Sequence, residues 1–220
     1  MRNAQISWFI LIVFLLVILF VSCRTYLPRA PASFENGAQV ALDECLEKAA
    51  DQSIRIFALQ GLLPEQGLNA WVGGGVSRIP SVQDIESGLA LLAQESLQQC
   101  QPMLPEKQRL TDRGPALVRV ALRNESVAFE ADAVFSVSNG ASAKIYDKLS
   151  AIIPSHLDEQ YRTGVGMAQG HLAGKGIDIT DSMSRKLDID LKKTAAGIEV
   201  RIADPGYTQS NPAVLAFVLF

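Results

Sequence analysis

Hydrophobic and polar positions along this chain fall into three regimes. From Trp8 to Cys23 the sequence reads WFILIVFLLVILFVSC, with no charge, Gly or Pro. A helix of that length rises about 24 Å, and Ile6, Ser7, Thr25, Tyr26 and Leu27 extend it toward the roughly 30 Å of a bilayer core. The run lacks the polar stripe of a buried core helix, and Trp8 and Tyr26 fall where interfacial rings are favoured. Residues 1–27 are therefore expected to be an N-terminal membrane anchor, inserted through residues 6–27. A cleaved secretory signal fits poorly, because Ser22-Cys23-Arg24 offers no A-x-A exit. Phe20-Val21-Ser22-Cys23 is a poor version of a lipoprotein signal, which leaves Cys23 as a candidate for lipidation. Arg2 on one side and Arg24 and Arg29 on the other do not fix the orientation.

Helical spacing follows. Residues 28–37, with Pro28 and Pro31, read as a short stiff spacer. Leu42, Cys45, Leu46, Ala49, Ser53, Ile56 and Phe57 then share one helical face. Gln60-Gly61 and Pro64 punctuate its end. A Gly-rich loop from Leu62 to Ile79 carries Trp71 and Gly73-Gly74-Gly75. Ser81 is the expected N-cap of a second helix, with Asp84 three residues on. That helix keeps Val82, Ile85, Leu89, Leu92, Ser96 and Cys100 on one face.

The second half alternates. Val118, Val120 and Leu122 predict a half-buried strand, Val127 to Val137 a longer one, and Ala143 to Ile153 a third. Asn139-Gly140 suits a type I′ hairpin turn. Pro154-Ser155 opens a third helix with Leu157, Tyr161, Val165, Ala168 and Leu172 inward and Ser155 as its cap. Its glycines, Gly164, Gly166 and Gly170, either permit close packing or mark a break. Leu187–Leu191 and Ile198–Ile202 alternate again, and the closing AVLAFVLF predicts a strand inside a sheet. The expected fold is α+β: a membrane helix, a helix pair, and a largely antiparallel sheet with one further helix. Residues 38–220 form its extracytoplasmic domain, with a possible subdivision near 102–115.

Cysteine placement bears on the compartment. Cys45 and Cys100 both lie on core-facing stripes and in no metal-type spacing, so an extracytoplasmic disulfide is preferred over two buried thiols. Charge changes little: 20 Lys+Arg against 23 Asp+Glu give −3, which argues against nucleic acid as a partner.

The chemistry is sparse. His156 and His171 stand at opposite ends of one predicted helix, too far apart to share an ion, and read as helix-end histidines. Ser155, His156 and Asp158 hold the letters of a triad, but neighbours on one turn cannot converge as a triad must. Gly174-Lys175 lacks the spacing of a phosphate loop, and Gly73-Gly74-Gly75 that of a dinucleotide fingerprint. Asp188 and Asp190 share a strand face and could hold calcium with Asp178 or Asp181, yet their alternation with Lys186 and Lys192 is that of a solvated strand. Asp204, before Pro205-Gly206, reads as a turn residue. Asn124-Glu125-Ser126 is an N-glycosylation sequon at a predicted turn. Trp71, an aromatic among glycines, is either an interface anchor or a cap on the core. No cofactor motif emerges.

Glu44-Cys45-Leu46-Glu47, Ala58-Leu59-Gln60-Gly61, Leu97-Gln98-Gln99-Cys100 and Ile202-Ala203-Asp204-Pro205, in this order behind an anchor, resemble a group of uncharacterised single-pass surface proteins of small-genome archaea. Members carry a "CLE…LQGG" first helix and a second helix ending in Cys. The chain departs in having Leu62 where a second Gly is usual, and it lacks the aromatic that often follows. The resemblance implies topology and location, and no activity. The expected function is non-catalytic: binding of a protein partner, or assembly, in the cell envelope through the Leu62–Ile79 loop and an outer strand edge. Alternatives are a tethered module that takes a small ligand or ion near Trp71, and a surface hydrolase.

Overall fold

The computed structural model describes residues 32–62, 70–73, 76–140, 142–177, 179, 187–195, 197–207 and 213–220. The apolar run Trp8–Cys23, with the lipidation candidate Cys23, lies outside them, as do Asp178 and Asp181. Among the described residues no helix is long and apolar enough to cross a membrane. The chain divides into Met1–Gly37 and Ala38–Phe220, and the sheets, core and clefts belong to the second unit.

The described residues form three helices, α1 (Ala32–Leu59), α2 (Val82–Gln99) and α3 (Leu157–Leu172), and eight strands. The strands are β1 (Ala70–Gly73), β2 (Val76–Ser77), β3 (Arg109–Arg123), β4 (Ser126–Ser138), β5 (Ala143–Pro154), β6 (Asp188–Thr194), β7 (Gly197–Asp204) and β8 (Ala213–Leu219). The fold is α+β and largely antiparallel, but it holds two sheets where the sequence suggests one. A five-stranded sheet runs β2-β1-β8-β7-β6 and a three-stranded sheet runs β3-β4-β5. Only β1 and β8 pair in parallel among the described strands.

α1 begins at Ala32, so residues 32–37 of the expected spacer are helical. Its far end is a Schellman turn: Gly61 N–H donates to Ala58 O (3.0 Å) and Leu62 N–H to Phe57 O (2.9 Å). Gly61 and Leu62 both take positive φ, 67° and 60°. This conformation costs an L side chain about 1–2 kcal/mol, and the full burial of the Leu62 side chain offsets it.

α2 carries the predicted capping box. Ser81 Oγ accepts from Asp84 N–H, and the Asp84 carboxylate accepts from Ser81 N–H at 2.9 Å. These bonds from Ser81 hold the Asp84 carboxyl below its ordinary range. Val82, in the first turn, is exposed, whereas Ile85, Leu89, Ala93 and Leu97 are buried. Cys45 and Cys100 are disulfide-bonded, with Cα atoms 5.8 Å apart, and join α1 to the end of α2.

β3 starts at Arg109, well before the alternation at Val118, and carries Gly114-Pro115 where its register shifts between Arg113 and Ala116. Proline has no N–H to give, and a bulge on an edge strand is where a sheet tolerates it. The stretch 102–115 leads straight into this strand, and the Arg113 guanidinium donates back to the carbonyls of Gln98 and Cys100. The β4–β5 connection has four residues, since Ser138 pairs with Ala143, and is longer than the expected two-residue turn. Gly140 takes φ +85°, and Asn139 Oδ1 accepts from Ser142 N–H at 2.9 Å.

Both edges of the three-stranded sheet are met by helix side chains. Leu122 N–H on β3 donates to Glu86 Oε1 of α2 at 2.9 Å. On β5, Lys148 O accepts from Gln39 Nε2 at 3.3 Å, and Ser150 N–H donates to Asp43 Oδ1 at 3.4 Å. β6, an edge of the other sheet, exposes Asp188, Asp190, Lys192 and Lys193.

The stretch expected as a loop contains β1 and β2. β1 is recruited by tertiary pairing with β8, which overrides the glycine content. Trp71 thereby enters the core and is fully buried, so it is no surface anchor. Its ring stacks on Phe217 with centroids 4.1 Å apart, meets Tyr161 edge-on at 6.0 Å, and its Nε1–H donates to Gly61 O at 2.8 Å. α3 lies on this stack through Gly164, where a Cβ would stand 2.9 Å from Trp71 Cζ3 and 3.0 Å from Phe217 Cε1. Leu172, expected inward, is exposed, while Gly164 and Met167 complete the buried stripe.

Two stability predictions result. Cys45→Ser with Cys100→Ser should cost about 3–4 kcal/mol on the chain-entropy model for so long a loop, measured by urea unfolding under non-reducing conditions. Gly164→Ala should destabilise by about 1–3 kcal/mol through overpacking. Gly166→Ala, with open space at its Cβ, should stabilise by up to about 1 kcal/mol through helix propensity; thermal melts compare the two signs.

Candidate functional site

Two turns, the start of α3 and Leu187 meet around one cleft of about 810 Å³, lined by Asn124, Glu125, His156, Asp158, Glu159, Arg162, Leu187, Asp204, Pro205 and Gly206. The β3–β4 turn contributes Asn124 and Glu125. Ser155 N–H donates to Glu125 O at 3.1 Å, which sets the start of α3 beside that turn. β7 ends at Asp204, whose side chain is almost completely buried.

Asp204 is the centre of the arrangement. Its carboxylate accepts from His156 N–H at 3.0 Å, from His156 Nδ1 at 3.1 Å and from Gly206 N–H at 3.0 Å. The bond to Gly206 makes the Asx turn that Asp-Pro-Gly suggests. The bonds to His156 reach across the fold and place a carboxylate at the positive end of the α3 dipole. His156 is the N-cap residue and its side chain makes no capping bond to its own helix. Ser155, expected as the cap, is buried, and its Oγ accepts only from Leu157 N–H at 3.2 Å.

With a carboxylate on Nδ1, that nitrogen is the hydrogen-bond donor, and in the Nδ1–H tautomer Nε2 is left as an acceptor. The pair could orient a general base. A nucleophilic partner is missing among the described lining residues, none of which is Ser, Thr or Cys. Asp158 does not complete a triad either; it pairs with Arg162 one turn along α3, at 3.0 Å. His171, at the other helix end, has Nε2 3.2 Å from Phe220 O.

A neighbouring groove is lined by Glu44, Glu47, Lys48, Asp51, Ile153, Pro154 and Tyr207. Tyr207, just past Asp204, donates to Asp51 Oδ1 at 2.6 Å, and the Arg55 guanidinium, itself paired with Asp51, lies 4.9 Å from the centre of its ring. Burial, and next the Asp51 bond, push the Tyr207 hydroxyl far above its ordinary range. It acts as a donor that ties the β7–β8 connection to α1.

The structure thus joins Cys45 to Cys100, buries Trp71, exposes Asn124 on its turn and leaves Asp188 and Asp190 in solvent on β6. Among the described residues no three His, Cys, Asp or Glu side chains gather as a metal site. Sequence reading missed the His156–Asp204 pair. The partners are 48 positions apart, and no motif spans that interval.

If Asp204 is a lock between β7 and α3, Asp204→Ala should cost about 2–4 kcal/mol by stranding buried donors. His156→Ala, half in solvent, should cost less than about 1 kcal/mol. Paired urea melts test this ordering.

Comparison with protein-family models, curated proteins and solved structures finds no match for this chain.

Proposed function

We propose that this is a membrane-tethered extracytoplasmic protein that binds or assembles with other proteins of the cell envelope and catalyses no reaction. The observation that carries the location is the Cys45–Cys100 disulfide behind the uncharged run Trp8–Cys23. Such a bond persists in oxidising compartments, and such a run partitions into lipid. The resemblance to uncharacterised single-pass surface proteins points the same way.

The non-catalytic part rests on the cleft. Asp204 satisfies two backbone N–H groups besides the imidazole, so the His–Asp pair has a structural reason to exist. A surface hydrolase is the second reading, favoured by one observation, His156 oriented by a carboxylate in an open cleft. A ligand module built around Trp71 has lost its aromatic to the core.

Membrane fractionation with protease protection tests the first reading. Full-length chain should pellet with membranes, and protease added to intact cells should digest residues 38–220. A soluble full-length product, or a protected domain, overturns it. Turnover of any substrate that disappears in His156→Ala overturns the non-catalytic assignment and establishes the second reading.

A further inference from the structure

We propose that Asn124 carries an N-linked glycan at the mouth of the His156–Asp204 cleft, an inference that rests on the extracytoplasmic location above. Asn124-Glu125-Ser126 is the single Asn-x-Ser/Thr sequence of the chain with x other than Pro. In the fold, Arg123 pairs with Ser126, so Asn124 and Glu125 are the two turn residues of the β3–β4 hairpin. Both are exposed, and neither side chain belongs to the core. A sugar added there displaces nothing that holds the sheet together.

The position has a second consequence. Asn124 lines the cleft with His156, Asp158 and Arg162, so an attached sugar stands over the one oriented imidazole described there. The transfer needs a sugar activated as a lipid-linked phosphate ester and a membrane transferase. The Asn124 side-chain nitrogen forms a bond to the sugar C1 as the C1–O bond to phosphate breaks. The amide gives up one proton, and the lipid phosphate leaves with the bonding electron pair. No oxidant or reductant takes part.

The full chain, purified from the membranes of the cell that makes it, is digested and weighed by mass spectrometry alongside protease accessibility on intact cells. The peptide that contains Asn124 should be heavier by whole sugar residues. The increment should vanish in Asn124→Gln and Ser126→Ala and persist in Ser126→Thr. An accessible domain with unmodified Asn124 overturns the glycan and leaves the location standing. A protected domain overturns both.

Discussion

Trp71 is where the separate parts of this domain are held in one arrangement. Its ring lies flat on Phe217 of β8 and its edge meets Tyr161 of α3. Its indole N–H takes the carbonyl of Gly61, past the end of α1. Stacking of this kind contributes about 0.5–1.5 kcal/mol beyond the area buried, and the geometric demands are as important. α3 can approach the stack only because residue 164 has no Cβ. Tyr161, on the same helix, then reaches Pro80 O at 2.7 Å, just ahead of the α2 cap. A helix end, a sheet interior and a second helix are therefore fixed by one side chain and the glycine that makes room for it.

The disulfide-linked helices have a further job in the three-stranded sheet. An exposed edge offers unpaired N–H and C=O groups to any passing strand. Glu86 takes one such group on β3, while Gln39 and Asp43 take two on β5. These edges are occupied from within the molecule, which narrows the strand edges open to a partner. On β6 the sheet relies on charge instead: Asp188 and Asp190 flank the partly covered Ile189, and Lys192 and Lys193 stand exposed beyond it.

Much of the architecture is legible in the sequence alone. The capping box at Ser81, the buried stripes of α1 and α2, the β3–β4–β5 meander and the inner position of β8 follow from local rules of period and punctuation. Cys45 and Cys100 could be paired because both fell on buried faces. The failures share one cause. β1 looks like loop because its strand identity comes from β8, far along the chain. Asp204 looks like a turn because its second role, at the start of α3, depends on where β7 ends. Trp71 could be read either way until its neighbours were known. Alternation shows which residues form strands but not which strands share a sheet, so the division into two sheets was invisible.

The parallel pairing of Ala70 with Val218 and Val72 with Leu219 also has an entropic consequence. The β3–β4 and β4–β5 hairpins close short loops and can zip as soon as their residues exist. β1 has only the two-residue β2 as a local neighbour, and its pairing with β8 closes a far longer loop, at a higher loop-closure entropy. Without that pairing Trp71 and Val72, both buried in the fold, lose the strand that carries them into the core. The burial of Trp71, first among the largest fully buried side chains, thus depends on the strand pairing of greatest sequence separation among the described strands.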